Sequence, residues 1–506
     1  MSLISTVAAV VGLLASVSVA DVPADCRVNE IKGSWLVRRG PGNNDNTITC
    51  NENSDVASRD VIQMSLLYPN IVSSAEGHEG NFTLVYNQAF EAYIDGVVYF
   101  AFVNWEKTPD YGDVSSIFHC GQTMTGWYHD YDGSNWGCFK AQKMNANEAH
   151  IVKEIKKPPV KAEDLPSPAD DANGAVDTHA DFVQRINAAQ NEWQATEYEP
   201  WQEEQLDAIL KFRTSHGAPD TTSYERTTTD ADYFERRQRL LPKVENGENA
   251  AISLVVPDTN SRISLAQSAY PESFDWRDVD GVNYVSPVRN QDKCGSCYAF
   301  AAAGMLEARI RIESNNALQP VLSPQEVLNC SPYTQGCSGG FSYLVAGKHA
   351  KDFGLVEEDC VPYNGAENEC PADKYKECTR WKVSHYSYVG GYYGNGDEEA
   401  MIKELVENGP MTVGFEVYPD FKAYKIGVYS HTATDPKRST SDFYEIVNHA
   451  VLVVGYGVNE TTGTKYWTVK NSWGPWWGMD GYFNIKRGSD EAQIESMPTS
   501  ATVMLP

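Results

Sequence analysis

The chain has 506 residues, 42% of them hydrophobic and 11% aromatic, which is the composition of a folded protein rather than a disordered one. This length exceeds one ordinary hydrophobic core and predicts two or three domains. Acidic residues outnumber basic ones by 69 to 41, and the resulting net charge of −28 argues against nucleic acid or an anionic membrane as a partner.

The first twenty residues are apolar and predict a secretory signal peptide. They end in Ser18-Val19-Ala20, a small-x-small cleavage pattern, although no Lys or Arg precedes the apolar run. A membrane anchor is the alternative, but no stop-transfer flank follows, and no later apolar run approaches the length that spans a bilayer. We therefore expect a mature chain that begins at Asp21 and passes through the secretory pathway.

The eleven cysteines divide the chain into three parts. Four precede residue 140, none lies between 139 and 293, and seven follow. In a secreted chain most should be paired, and an odd total leaves at least one free. The distribution indicates two disulfide-bearing domains that flank a cysteine-free middle segment.

Residues 21–146 predict a small antiparallel β-sheet or barrel. Phe82–Trp105 is rich in aromatic and β-branched residues, and Asp95-Gly96 in its middle predicts a tight hairpin turn. Asn81, in Asn-Phe-Thr, and Asn459, in Asn-Glu-Thr, match the acceptor triplet for N-linked glycans. We expect glycans at both, although such triplets also arise by chance.

Residues 147–269 form the middle segment, which is charged and lacks cysteine. Lys153–Pro168 is rich in Pro and predicts a linker. Helical spacing predicts helices over His179–Trp193 and Gln202–Phe212. The first helix would carry one apolar face, formed by Phe182, Ile186, Ala189 and Trp193. The segment is either a plain linker or a removable propeptide, and the motifs described next favour the propeptide.

Residues 270–506 predict a compact α+β unit. A helix is expected over Cys297–Ile312, which has no Gly or Pro after Gly304. Short strands are expected over Ala450–Gly455, Tyr466–Lys470 and Gly481–Ile485, with Gly-rich turns between them.

Two cysteines of this unit, Cys294 and Cys297, lie three residues apart in VRNQDKCGSCYAF. A redox pair would follow a βαβ pattern, and a structural zinc site would need a second ligand pair at suitable spacing. A nucleophile at Cys297 fits better, because the unpaired amides at the start of a helix favour a thiolate over a thiol.

A thiolate nucleophile needs a histidine that takes up and returns a proton. Among the ten histidines, His449 stands ahead of the strand-like run VLVVGYG. Asn471, in VKNSWGPWWG, can orient the imidazole without adding the charge of an Asp. The oxyanion formed on acyl attack would be held by the backbone N–H of Cys297 and the side-chain amide of Gln291.

These three segments resemble the signatures of the papain-like C1 cysteine peptidases in sequence, order and spacing. The resemblance implies that Cys297 is the nucleophile, His449 the acid and base, and Asn471 the orienting residue. It also implies that Gln291 is an oxyanion donor and that Trp473 shields the Asn–His hydrogen bond. The implied fold is α+β, with a two-lobed catalytic domain made of a helical lobe and a β-barrel lobe, and the implied chemistry uses no metal or organic cofactor.

The N-terminal part resembles the exclusion domain of the cathepsin C family of dipeptidyl peptidases. The matching residues are Asp21–Cys26, Gly33–Trp35, Gly80–Thr83, Tyr86–Gln88, Met124–Trp127 and Asn135–Trp136. The resemblance implies an antiparallel β-barrel that blocks the substrate cleft beyond the second non-prime pocket. It also implies that the carboxylate of Asp21 binds the free amino terminus of the substrate.

The same resemblance implies the disulfide pairing and the pocket residues. The pairs would be Cys26–Cys120, Cys50–Cys138, Cys294–Cys337, Cys330–Cys370 and Cys360–Cys378, which leaves Cys297 free. Gly339 and Gly340 would line the substrate pocket. A chloride ion would lie near Phe341, Tyr343 and Tyr388, where Ser342 replaces a Pro that is common in the family and leaves the shape of the pocket open.

The predicted organisation has four parts and a further internal cut. The parts are a signal peptide (1–20), an exclusion domain (21–146), an activation propeptide (147–269) and a peptidase domain (270–506), cut into a heavy chain of about 270–436 and a light chain of about 437–506. Lys437 and Arg438 make the junction loop HTATDPKRSTSD a credible protease target. By resemblance, the processed protomers would form a homotetramer.

The sequence thus predicts an exopeptidase that releases dipeptides from the free N-termini of peptides and proteins through a Cys thioester. It would act in a lysosome-like acidic compartment or outside the cell, with no membrane partner in the mature form. Two alternatives stay open. One is a papain-like endopeptidase with an accessory β-domain, and the other is a non-catalytic binding or inhibitor protein, against which the complete Cys, His and Asn set argues.

Overall fold

The computed structural model describes residues 26, 28–56, 60–107, 116–144, 152–155, 179–214, 270–371, 375–432 and 447–506. The predictions for the signal peptide, Asp21, most of the linker and the junction residues Lys437 and Arg438 lie outside this range. Within it, no helix has both the length and the apolar character that a membrane span requires.

Nine strands build the N-terminal domain, and a tenth, from the start of the middle segment, pairs with the seventh. They are β1 (Gly33–Arg39), β2 (Asp60–Leu67), β3 (Ile71–Ser74), β4 (Glu79–Val85), β5 (Ala89–Ile94), β6 (Val97–Lys107), β7 (Ser116–Thr123), β8 (Gly126–Asp130), β9 (Gly137–Lys143) and β10 (Val152–Ile155). Strands β1 to β6, β8 and β9 form a closed antiparallel barrel of eight strands, because β1 pairs with β9 as well as with β2. The predicted antiparallel barrel is confirmed.

The hairpin between β5 and β6 turns at the predicted residues. Asp95 and Gly96 both have positive φ, 54° and 78°, as a two-residue turn that follows the twist of its strands requires. On either side of the turn, Phe90 and Phe100 are fully buried in the barrel interior. The aromatic run that predicted strands therefore supplies much of the barrel core.

The helices lie in the middle segment and the peptidase domain, apart from one short helix before the barrel. They are α1 (Val28–Ile31), α2 (His179–Ala189), α3 (Pro200–Thr214), α4 (Cys297–Glu313), α5 (Pro324–Cys330), α6 (Ala350–Asp352) and α7 (Glu398–Asn408), with a π-helical segment over Tyr343–His349 directly before α6. Helix α4 is buried over most of its length and forms the centre of the helical lobe. Helix α5 begins at an N-cap, Ser323, whose hydroxyl accepts the backbone N–H of Glu326.

A second sheet forms the β lobe. Its strands are β11 (Trp193–Ala195), β12 (Phe274–Asp275), β13 (Leu355–Val356), β14 (Arg380–Tyr388), β15 (Met411–Phe415), β16 (Tyr424–Tyr429), β17 (His449–Val458), β18 (Lys465–Lys470), β19 (Tyr482–Lys486) and β20 (Thr499–Met504). The order is β11-β16-β19-β18-β17-β15-β20-β14-β13, and β12 adds to β17. The three strands predicted in this region correspond to β17, β18 and β19.

The middle segment packs on the β lobe, and one prediction there is wrong. Helix α2 ends at Ala189, and Trp193 begins strand β11, which pairs with β16. The Gln190 side-chain oxygen accepts the backbone N–H groups of Glu192 and Trp193, and this local bonding replaces further helical turns. The buried face of α2 consists of Val183 and Ile186, whereas Ala189 is exposed.

The apolar core of the barrel extends into part of the peptidase domain, which also has a core of its own. Tyr333, Tyr343 and Tyr388 of the peptidase domain belong to the same buried cluster as the barrel interior. The ring of Tyr333 meets Phe100 and Trp127 of the barrel with ring centroids 5.4 and 5.5 Å apart. Aromatic contacts of this kind fix the barrel against the helical lobe.

Candidate active site

Cys297 is the first residue of α4 and the only cysteine without a disulfide in the described chain. The residue is 9% exposed. The start of a 17-residue helix places unpaired backbone N–H groups and the positive end of the helix dipole at the sulfur.

The loop before Cys297 is held in place by a disulfide and by Gln291. Cys294 is bonded to Cys337, with their Cα atoms 4.8 Å apart. The Gln291 amide nitrogen donates to the carbonyl oxygen of Cys294 at 2.9 Å, and its amide oxygen accepts the Ser472 hydroxyl at 2.7 Å. An amide nitrogen carries two hydrogens, so a second donor remains for an oxyanion.

His449 and Asn471 form the other half of the site. His449 is the first residue of β17, and its Nε2 lies 2.8 Å from the Asn471 side-chain oxygen. This bond leaves Nδ1 as the nitrogen that can exchange a proton with a sulfur. The Trp473 ring stacks on the imidazole with centroids 5.1 Å apart and covers the pair, as the resemblance implies.

Backbone pairing brings these two halves together. The N–H of Gln291 donates to the carbonyl of Ser472 at 2.8 Å, and the N–H of Gly474 donates to the carbonyl of Arg289 at 3.2 Å. Between them, Asn290 and Trp473 form an isolated β-bridge. This pairing aligns the loop that leads to Cys297 with the segment that carries Asn471, the hydrogen-bond partner of His449. A cysteine and a histidine supplied by two such segments suit nucleophilic attack on an acyl group followed by protonation of the leaving group.

A turn of the barrel reaches the catalytic strand. The Tyr86 hydroxyl donates to the Val447 carbonyl oxygen at 3.2 Å and accepts the Val447 N–H at 3.1 Å. Val447 lies two residues before His449. The Tyr86 backbone has φ of 55°, a conformation that is uncommon for a bulky residue and recurs at functional sites.

The predicted substrate-pocket residues lie together beside this turn. Gly339 has φ of 135°, and a Cβ at Gly340 would fall 2.8 Å from the Tyr298 ring, so both positions require glycine. The Phe341 ring stacks on Tyr86 at 5.1 Å. Ser342, in place of the common Pro, donates its hydroxyl to the Tyr298 carbonyl at 3.1 Å.

The aromatic residues predicted to hold chloride fit that ion only in part. The Tyr343 and Tyr388 rings stack with centroids 4.3 Å apart. The Tyr343 hydroxyl, however, donates to the Glu91 carboxylate at 2.9 Å. Tyr388 is hydrogen-bonded to the backbone of Tyr86 and, of the two phenols, it is the one that remains suited to donate to an anion.

The remaining predicted sites can also be placed. The described structure contains five disulfides, and each joins two cysteines that the resemblance paired: Cys26–Cys120, Cys50–Cys138, Cys294–Cys337, Cys330–Cys370 and Cys360–Cys378. Asn81 is exposed on β4, and Asn459 is partly exposed in the turn after β17. Glycosylation of both stays a prediction.

Two residues beside the site were given no role from the sequence, although Ser472 lies within the motif VKNSWGPWWG. The Tyr363 hydroxyl donates to the Gln291 carbonyl at 2.8 Å and lies 2.7 Å from the Ser296 hydroxyl, so it braces the loop on both sides of the disulfide cysteine. Burial raises the pKa of Tyr363, which keeps it a neutral donor. Ser472 directly follows Asn471, and its hydroxyl orients the Gln291 amide.

Comparison with known proteins covers most of the chain. The model for "Papain family cysteine protease" matches residues 270–502, and that for "Cathepsin C exclusion domain" matches residues 21–143. Cathepsin C of Schistosoma mansoni is 36% identical over 481 residues, 94% of each chain. Pro-cathepsin H of Bos taurus is 39% identical over 239 residues, 46% of this chain and 64% of the relative. Among solved structures, proCathepsin B S9 from Trypanosoma congolense aligns with a TM-score of 0.45 at 27% identity, over 65% of this chain and 99% of that one.

The Gln291 amide can be tested by a substitution close in size. We expect Gln291→Met to lower kcat for a peptide substrate by about 10²-fold or more, which is the usual effect of removing one oxyanion donor. Ser472→Ala keeps the amide and should lower kcat much less. Alkylation of Cys297 by iodoacetamide should continue at a similar rate in both variants. Equal kcat values for Gln291→Met and the wild type would contradict this role.

Proposed function

The chain belongs to the papain family of cysteine peptidases, in the group that carries a cathepsin C exclusion domain, and from that membership we propose that it is a dipeptidyl peptidase. It would release dipeptides from the free N-termini of peptides and proteins. One observation carries the proposal: Tyr86 of the barrel bonds to Val447, two residues before the predicted acid and base His449. A folded domain at this position limits how far a substrate extends into the cleft.

The proposal assigns a role to each catalytic group. The Cys297 thiolate attacks the substrate carbonyl carbon, and the Gln291 amide and the Cys297 N–H stabilise the oxyanion. The C–N bond breaks as His449 donates its proton to the leaving amine, which leaves the dipeptide joined to sulfur as a thioester. Water, deprotonated by His449, then attacks the thioester, and the C–S bond breaks to restore the thiolate.

Asp21 is proposed to bind the substrate's amino terminus. The backbone N–H of Cys26 donates at 2.9 Å to the carbonyl of Asn87, which lies in the same turn as Tyr86. Asp21 lies five positions before Cys26 in the sequence, and an extended chain of five steps spans at most about 18 Å. We propose that, within this reach of the turn that holds Tyr86, the Asp21 carboxylate pairs with the substrate's ammonium group.

The middle segment is proposed to be a propeptide that is removed on activation. Helix α3 lies against the loop that carries Gln291: Gln205 donates to the Asn290 side chain at 2.7 Å, and Glu204 pairs with Lys293 at 2.9 Å. A segment packed at this loop would hinder substrates. Family membership further supports a heavy and light chain cut, a homotetramer, a chloride ion near Tyr388 and glycans.

The buried carboxyl groups near the chain end support an acidic working compartment such as a lysosome. Burial raises the pKa of Glu495 to about 7, and the carboxylate of Asp490 adds to the rise. Burial likewise raises the pKa of Glu491. A carboxyl group that is protonated in the folded state above its usual pKa stabilises the folded protein at low pH.

A substrate with a free amino terminus and its N-acetylated form distinguish the proposal from an endopeptidase. Acetylation removes the positive charge and adds bulk at the closed end of the cleft. We therefore expect kcat/KM of the mature enzyme to fall by on the order of 10²-fold or more on acetylation. Equal cleavage of both substrates would point to the endopeptidase. Labelling by a thiol-reactive peptide, lost in Cys297→Ser, would exclude a non-catalytic protein.

Asp21 can be tested on the same free substrate. Asp21→Ala should lower kcat/KM by roughly tenfold to a hundredfold, because a hydrogen bond to a charged group contributes about 1.5–3 kcal/mol. Labelling of Cys297 should be unchanged. N-terminal sequencing of the variant confirms where the mature chain begins. Hydrolysis at the wild-type rate would remove Asp21 from the proposal.

Glu495 should make stability depend on pH. Between pH 4.5, the usual pKa of a Glu, and about 7, the folded state binds more protons at this site than the unfolded state does. Stability is therefore greatest below pH 4.5 and falls as the pH rises toward 7. Glu495→Gln should show a smaller fall in the thermal midpoint between pH 4.5 and 7 than the wild type. Parallel falls in the two proteins would refute the effect.

A further inference from the structure

A buried cluster of charged and phenolic side chains lies between the barrel and the helical lobe. Lys348 of the π-helical segment is 1% exposed, and its ammonium lies 3.1 Å from the Asp352 carboxylate and 3.7 Å from that of Glu91 in strand β5. The Tyr333 hydroxyl donates to Asp352 at 2.8 Å. His129 of β8 completes the cluster, with Nε2 at 3.3 Å from the Lys348 ammonium.

Glu91 is the residue through which the barrel enters this cluster. One carboxylate oxygen accepts the Tyr343 hydroxyl at 2.9 Å, and the other accepts the Tyr386 hydroxyl at 2.6 Å. Together with Lys348, all three partners belong to the peptidase domain. A single barrel carboxylate is therefore bound by three groups from the opposite domain, two of them through hydrogen bonds of normal length.

The charges of the cluster depend on this arrangement. Burial and the nearby Lys348 ammonium lower the pKa of His129 to about 4, so its ring is neutral and its Nε2 accepts a hydrogen bond from the ammonium. The cluster then contains one cation, Lys348, against the carboxylates of Glu91 and Asp352. In a buried network of this kind, removal of one charged partner leaves others unpaired and shifts the packing around them.

The partners of Glu91 also reach the substrate pocket. The Tyr343 ring stacks on Tyr388 and meets Tyr386 at 5.3 Å. Glu91 lies five residues after Tyr86 in the hairpin of β4 and β5. That hairpin is consequently held at two points, at Val447 beside the catalytic strand and at the phenols of the pocket.

We propose that Glu91 is a positioning residue that fixes the β4–β5 hairpin over the cleft and thereby sets the selectivity for substrates with a free amino terminus. This inference rests on the proposed dipeptidyl activity and goes beyond it. It states that the contacts of Glu91 with the peptidase domain determine the position of the closed end of the cleft. Glu91 touches no reacting atom. It acts by fixing the position of the barrel relative to Tyr343 and Val447.

The test compares a free dipeptidyl substrate with its N-acetylated form in full-length, processed enzyme. In Glu91→Gln we expect the ratio of the two kcat/KM values to fall by on the order of tenfold to a hundredfold, since a displacement of about 1 Å has effects of that size. Tyr386→Phe, which removes one of the two phenol bonds and keeps the charge, should lower the ratio less. Titration of Cys297 with a thiol-reactive inhibitor gives the concentration of active enzyme for each variant.

The chain offers a matched control. Glu404 pairs with Arg309 at 2.8 Å, and its other hydrogen-bond partners among the described residues, Asn408 and Ser500, also belong to the peptidase domain. Glu404→Gln should lower the thermal midpoint and leave the substrate ratio unchanged.

The outcomes are distinct. A lowered ratio in Glu91→Gln, or in Tyr386→Phe if the first variant does not fold, supports the proposal. A wild-type ratio in the folded variants, or an equal loss on both substrates, overturns it while the dipeptidyl activity stands. A wild-type enzyme that cleaves both substrates equally overturns the dipeptidyl activity and this inference with it.

Discussion

The short backbone pairing between residues 289–291 and 472–474 is the interaction on which the site depends. Cys297 belongs to the helical lobe and His449 to the β lobe, so neither lobe contains a complete site. The bonds from Gln291 to Ser472 and from Gly474 to Arg289 join the loop before Cys297 to the segment after Asn471. Because the Ser472 hydroxyl also orients the Gln291 amide, the same contact positions a group suited to oxyanion binding.

The barrel supplies none of the Cys, His and Asn residues. It contacts the elements that surround them. Tyr86 touches the strand that carries His449, and Glu91 binds the phenols beside the pocket. In the proposed dipeptidyl peptidase, a cleft closed at one end would reject a longer substrate by its volume and a blocked amine by the lack of a partner. The same nucleophile can therefore serve an endopeptidase or an exopeptidase, according to what covers the cleft.

Local sequence patterns predicted the parts whose structure is locally determined. The helix at Cys297, the strands β17 to β19 and the turn at Asp95-Gly96 follow from periodicity and turn chemistry within a few residues. Trp193 was predicted in a helix because its spacing suits one, but the Gln190 side chain and the pairing with β16 decide its conformation. Tertiary contacts of this kind override local spacing.

The residues that sequence reasoning missed are polar groups that acquire a role only through distant partners. Glu91 is separated by 252 residues from Tyr343 and by 295 from Tyr386, and within β5 it has the appearance of an ordinary strand residue. Tyr363 meets Gln291 across 72 residues. No local motif records such pairs, whereas the catalytic motifs are recognisable because each combines several residues within a few positions.

The polar cluster around Glu91 suits this domain boundary, because the function of the boundary depends on the position of the barrel on the peptidase domain. The aromatic contacts among Tyr333, Phe100 and Trp127 supply attraction between the domains, but apolar surfaces in contact tolerate small displacements. Hydrogen bonds of 2.6 and 2.9 Å to a single carboxylate require a narrow range of distance and angle, so they do not tolerate such displacements. Apolar burial can therefore hold the barrel on the peptidase domain, while Glu91 determines where along the cleft it stops.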